Sequence, residues 1–179
     1  MKYRRYALVI LSFLLFTLTG CQGKGENIEQ LQPEIIEADR LIEAVASDSI
    51  DTGRMTKLRE FSTDLDLDNI EEKIELYTAA ERHENGEMLW DDGQNWVLVV
   101  RDGEKSYPLL SQYVQLGVVH FTVSDRGKDK LPNITVIVPT GASFSIMDYI
   151  YNEEKNGFGE ELIYESKDTN WIYSSIPGY

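Results

Sequence analysis

Apolar residues run along the chain in three rhythms. The first is unbroken. Tyr6 to Leu18 is apolar but for Ser12 and Thr17, and Lys2, Arg4 and Arg5 precede it. At 13 residues the run is shorter than the roughly 20 needed to cross about 30 Å of hydrocarbon. The order basic, apolar, small is that of an export signal. The second rhythm is helical. Ile35, Ala38, Leu41, Ile42 and Val45 recur at helical spacing, with Glu34, Glu37, Arg40 and Glu43 between them. Pro33 suits a first helical turn, so the spacing predicts an amphipathic helix from Pro33 to about Ser47.

The third rhythm has period two and begins at Lys73. Ile74 to Thr78 alternates, and although Ile70, Ile74 and Tyr77 also satisfy a helix, the Asn85-Gly86 turn that follows favours a hairpin with Met88-Leu89-Trp90 as its return. Asp92-Gly93 predicts a second turn and Trp96 to Val100 a strand. Asp102-Gly103 turns again. Tyr107 to Tyr113, interrupted by Pro108, predicts an edge or a bend. Further strands are expected at Leu116–Val123 with a bulge at Gly117, at Ile134–Val138 ended by Pro139, and at Phe144–Tyr151. Asn156-Gly157 leads to another at Glu161–Tyr164, and Trp171-Ile172-Tyr173 closes an edge. Residues 48–72 stay ambiguous, since Met55, Leu58 and Phe61 fit a helical stripe while Leu58 to Phe61 also fits the start of a strand.

These elements predict an α+β, mostly β domain over residues 33–179. It is an antiparallel β-sandwich or a curved sheet with the N-terminal amphipathic helix packed on it.

The apolar leader ends in Leu18-Thr19-Gly20-Cys21. This resembles the lipobox of bacterial lipoproteins: an aliphatic residue, two small or hydroxyl residues, then a cysteine. The resemblance covers the leader alone. It implies that residues 1–20 are a cleaved signal peptide and that Cys21 is the lipid-attachment residue, acylated on its sulfur. Residues 21–32, polar and glycine-containing, then form the lipidated cysteine and a flexible tether. Cys21 is the only cysteine, which excludes a disulfide framework and a CxxC motif. The expected address is the extracytoplasmic face of the cell membrane or outer membrane, with two acyl chains giving stable anchoring where one is marginal.

Charge sharpens the reading. The chain carries a formal net charge of −14, and losing residues 1–20 removes three cations and no acid. Such a field repels nucleic acid and anionic headgroups. The expected partners are the membrane, through the acyl group on Cys21, and an envelope protein or cell-wall component; no nucleic acid is expected.

Candidate chemistry is sparse. Asp64, Asp66, Asp68 and Glu75 fall at positions one, three, five and twelve of an EF-hand-like loop, whose oxygens would suit Ca²⁺. Asn69 replaces the loop's glycine, however, and Glu71 with Asp68 reads equally as a capping box on a helical turn. His83 reads as a solvated residue before a turn, and His120 as a strand histidine sharing a face with Val118 and Thr122. Two histidines without a thiol at ligand spacing make no zinc site. Ser111 and Ser143 lack the GxSxG context of a nucleophile elbow. Asp91 and Asp92 read as a polar turn, although glycosidases need only two carboxylates.

Trp90, Trp96, Tyr107, Tyr113, Tyr149, Tyr151, Tyr164, Trp171 and Tyr173 either line a glycan- or peptide-binding face or pair across strands in the core. The sequon Asn133-Ile134-Thr135 carries no weight in a bacterial lipoprotein. No catalytic residue, cofactor or metal-ligand set is assigned. The expectation is a non-enzymatic, lipid-anchored binding protein. The alternatives are an envelope glycan hydrolase using a carboxylate pair and a calcium-stabilised envelope domain.

Overall fold

The computed structural model describes residues 40–125 and 131–169. Among the described residues it contains twelve strands, one 3-10 turn at Ser47–Ser49 and no α-helix. The strands are β1 (Arg40–Glu43), β2 (Val45–Ala46), β3 (Thr56–Thr63), β4 (Glu72–Thr78), β5 (Glu81–Arg82) and β6 (Met88–Leu89). They continue with β7 (Gly93–Asp102), β8 (Lys105–Gln115), β9 (His120–Asp125), β10 (Pro132–Pro139), β11 (Phe144–Asn152) and β12 (Gly157–Ser166). One antiparallel sheet has the order β1-β12-β11-β10-β9, the other β2-β8-β7-β4-β3, and β5 with β6 forms a small separate hairpin.

The two five-stranded sheets share one core. Ile134, Val136 and Val138 of β10 belong to the same buried cluster as Ile74 and Leu76 of β4 and Leu98 and Val100 of β7. Each such side chain contributes about 1.5–3 kcal/mol by leaving water. Strand parity decides what faces in. On β4, Glu72, Ile74 and Leu76 point to the core side while Glu75 and Tyr77 point outward. The outward side of this sheet is itself partly covered, because Tyr77, Val97 and Val99 form a second cluster under Ile50 and Met55. Val97 to Val100 therefore reads as an uninterrupted apolar run: both faces of β7 are buried.

One side of the sandwich is closed by the chain itself. β1 pairs with β12 in one sheet and β2 with β8 in the other, so residues 40–46 pass from sheet to sheet. The opposite side is open. There β3 and β9 are the terminal strands, and no described strand pairs with their outer edges.

Several expectations are corrected here. Of the helix expected over Pro33–Ser47, residues 33–39 lie outside the described residues; the remainder is β1, β2 and the start of the 3-10 turn. The ladders offered by Gly157–Glu160 and Lys105–Ser106 outweigh a helical apolar spacing there. The ambiguous stretch around Leu58 is strand β3. Gly93 opens β7 rather than turning the chain. Tyr107 to Tyr113 is not a bend but part of the 11-residue β8, and it is an edge as expected, since β2 pairs only with Lys105 and Ser106 and no described strand covers β8 beyond them. Pro108 is tolerated because it sits at a register shift against β7, beyond the two residues that β2 covers. Leu116 to Val119 precedes β9 as a loop in which Leu116 has φ +46°, so that strand starts later than the apolar run suggests. The turn at Asn156, also at positive φ, and strands β10, β11 and β12 lie where they are expected. Trp171-Ile172-Tyr173 lies outside the described residues.

A cleft between two sheet edges

The open side of the sandwich is a cleft of about 850 Å³, within the size range of ligand sites. Its lining includes Leu58 to Phe61 of β3 and Val118 to Val123, which runs into β9. Consecutive residues, not every second one, border it, so the strands meet the cleft edge-on with their backbone. Leu76, Trp96 and Trp90 make the apolar floor, and Arg82 and Met88 of the small hairpin complete the rim.

The ladders fix which backbone groups look into this space. Val118 N donates to Pro139 O in the register that β9 and β10 continue. Two-residue alternation then turns the N–H and C=O of His120 and Thr122 to β10, and those of Phe121 and Val123 outward. On the facing edge, Ala79 N donates to Asn95 O, which turns Ile74 and Leu76 to β3 and leaves Glu60 and Ser62 of β3 pointing outward. Side chains on the core side of these edges are Phe121 and Val123 from β9 and Arg59 and Phe61 from β3, because they stand opposite the inward-facing Val136, Ile134, Leu76 and Ile74. Phe61 is 48% exposed, unusual for an aromatic on that side of a sheet.

Aromatic and charged groups in the cleft are arranged unequally. Trp90 stacks on Trp96 at 5.9 Å between ring centroids and 13° between planes. Trp96 is 2% exposed, and its Nε1 has no hydrogen-bond partner among the described residues. Arg59 donates to Leu58 O and Arg82 to Gly86 O. Among the described residues neither guanidinium meets a carboxylate. The one acidic residue in the lining, Glu60, is held by Lys57 at 2.5 Å. A chain of strongly negative net charge thus presents cations at this rim.

The remaining aromatics do not form one face. Tyr107, Tyr151 and Phe158 pack edge to face inside the core, with centroids 5.1–6.3 Å apart. Tyr149 is 1% exposed. Tyr113 lies over Gly93, where a Cβ would meet its hydroxyl at 2.0 Å. Tyr164 tilts against Phe144 on the outside. Trp171, Tyr173 and Cys21 lie outside the described residues.

The acidic segment is rearranged relative to an EF-hand. Asp64 Oδ2 accepts from Asn69 N, Asp66 Oδ1 from Asp68 N and Asp68 Oδ1 from Ile70 N, while Leu67 and Asn69 take positive φ. The result is a tight loop with neither a flanking helix nor a capping box. Glu75 is not part of it, since it is an odd number of residues from Glu72 on one strand and so faces the opposite way. Glu72 takes its place: ligand-capable oxygens of Asp64, Asp66 and Glu72 lie within 4.8 Å of one another. Glu72, 4% exposed, accepts from Leu65 N. Burial, opposed by that hydrogen bond and reinforced by Asp66, Asp102 and Asp68, pushes its carboxyl up from 4.5 to about 7. Asp64 Oδ1 is buried without a hydrogen-bond partner among the described residues.

Glu75 works instead as a structural anchor on the outer face. It accepts from Lys57 at 2.9 Å, Tyr77 at 2.9 Å and Arg101 at 3.2 Å. Burial would raise its carboxyl, but these three donors outweigh it and hold the group below its ordinary value. Arg101 also donates to Ser47 O and Ser106 Oγ, fastening the segment after β2 to the sheet.

His83 is exposed in the β5–β6 turn, and His120 is exposed at the start of β9 on the cleft rim. Ser143 bonds with Thr140 in the β10–β11 turn, Ser111 is exposed on β8, and Asp91 and Asp92 form an exposed loop. None of these serines, histidines or aspartates is brought into a catalytic constellation among the described residues. Comparison with protein-family models, curated proteins and solved structures gives no match to this chain.

Proposed function

We propose that this chain is a lipid-anchored, extracytoplasmic binding protein, tethered through Cys21, whose β-sandwich holds an envelope partner in the cleft between β3 and β9. One observation carries the binding half of the reading: an aromatic-floored cleft is bordered by two sheet edges whose outward backbone groups pair with no described strand. The anchoring half rests on the lipobox resemblance. The cleft favours binding over glycan hydrolysis, because two-carboxylate chemistry needs a facing pair and among the described residues the lining offers only Glu60, already paired with Lys57.

Two experiments test the halves separately. Cys21→Ser should abolish acyl labelling and leave the precursor uncleaved; normal processing and membrane retention would overturn the anchor. Phe61→Asp, at an exposed cleft position, should abolish capture of a partner that the unaltered full chain retains from detergent-solubilised envelopes. Equal capture by both proteins would remove the cleft from the function.

A second reading concerns the acidic loop. The buried Asp64 Oδ1, without a hydrogen-bond partner among the described residues and beside Asp66 and Glu72, favours a calcium-stabilised loop, with hard oxygens suited to that ion. Chelator and added Ca²⁺ should then give different melting temperatures, and identical melts would dismiss it.

A further inference from the structure

We infer that the occupant of the cleft is an extended polypeptide bearing acidic side chains, added as a further strand along β9. This rests on the binding reading above and specifies the partner's chemistry.

The first argument is backbone geometry. A saccharide would use alternate side chains and aromatic faces, but here consecutive residues border the cleft and Phe121 and Val123 turn their N–H and C=O into it. An extended chain is the ligand that satisfies such a row, two bonds for every second residue. The two edges are not equal. Proteins blunt exposed edges with bulges, charges and prolines. β3 carries a register shift between Lys57 and Arg59 and the charges of Lys57, Arg59 and Glu60. The β9 ladder runs without a shift from His120 to Asp125, and only Asp125 at its end carries an acid or a lysine. A regular edge beside an apolar floor is a docking edge, so β9 takes the strand and β3 forms the far wall.

The second argument is charge complementarity. Arg59 and Arg82 flank the floor and spend their described hydrogen bonds on carbonyls, with Glu60 neutralised by Lys57. Cations without a counter-ion among the described residues, in a chain of net charge −14, select carboxylates on the partner. The partner's alternate apolar side chains would lie on Phe61, Phe121 and the Trp90–Trp96 stack.

The test uses the full chain in detergent and two synthetic eight-residue probes, each about 27 Å long when extended. Both alternate valine and threonine; one is flanked by aspartates and the other by lysines. Tryptophan fluorescence should report binding of the aspartate probe about tenfold tighter than the lysine probe. Arg59→Glu combined with Arg82→Glu should reverse that preference. Bound probe should slow amide exchange at Phe121 and Val123, leaving Thr122, already in the ladder, unchanged. Val123→Pro, which removes an outward N–H, should weaken binding; if that variant fails to fold, the exchange data on the unaltered chain decide.

Equal binding of the two probes, or protection confined to β3, would overturn the inference. A third arm uses oligogalacturonate as an anionic glycan probe. If it binds and the aspartate probe does not, the polypeptide inference falls while the cleft remains a binding site. If Phe61→Asp also leaves partner capture intact, the binding reading falls with it.

Discussion

Glu72 makes the domain's stability depend on pH in a direction opposite to that of most carboxylates. Its side chain is buried on the core side of β4 beside Asp64 and Asp66, and its carboxyl is moved from 4.5 to about 7. The folded state therefore holds a proton that the unfolded chain releases at lower pH. The stabilisation is fully present below pH 4.5 and is lost as pH rises through about 7. At about 1.4 kcal/mol per pH unit the loss is at most about 3 kcal/mol.

Glu72→Gln keeps an oxygen to accept from Leu65 N and removes the charge. Urea denaturation of both proteins with chelator present, at intervals between pH 5 and 8, isolates this group, because every other acid titrates in both. The difference in unfolding free energy should grow in favour of the glutamine variant across that range, reaching about 2–3 kcal/mol at pH 8. Parallel profiles would refute the argument that burial and like charge hold this carboxyl protonated. If the loop takes Ca²⁺, adding the ion at pH 8 should restore stability to the unaltered chain and not to the variant.

Further consequences concern the frame around the cleft. Glu75→Ala strips Lys57, Tyr77 and Arg101 of their shared acceptor. It should cost about 2–3 kcal/mol in urea denaturation, less than a fully buried pair because Lys57 keeps access to water; a loss under 0.5 kcal/mol, at the low end of exposed pairs, would contradict the anchor role. Gly117→Ala would place a Cβ 2.2 Å from Pro139 O and 2.8 Å from Val114 Cγ1, where backbone must move. About 1–3 kcal/mol should be lost, seen as a fall of about 5 °C in melting temperature, and an unchanged melt would contradict the close approach beneath the β9 edge.

The β character of the domain was legible because alternation and turn chemistry act locally. Asn85-Gly86, Asn156-Gly157, Ile134–Val138 and Phe144–Tyr151 all announce themselves within a few residues. Tertiary pairing decided the rest. Leu41, Ile42 and Val45 fit a helix by spacing, yet they sit where the chain changes sheets and the ladders of β12 and β8 are available. Pro108 signalled an edge, and beyond the two residues paired with β2 no described strand covers that side of β8. The EF-hand count assigned Glu75 by linear position, whereas strand parity turns Glu72 inward and Glu75 out; the alternation Glu72, Ile74, Leu76 carried that signal. The cleft was the least legible feature. Phe61, Arg59, Phe121 and Val123 come from strands about 60 residues apart in sequence, and their adjacency follows only from which two strands end the sheets.

The central claim is that this open side of the sandwich is where the partner sits. A photo-crosslinking amino acid in place of Phe61, compared in intact cells with the same substitution at Tyr164 on the outer surface, tests it most directly. The account predicts one discrete adduct from position 61, absent at position 164, with the crosslink mapping to a peptide of another protein. The same adducts from both positions, or none from position 61 while position 164 captures a partner, would contradict it.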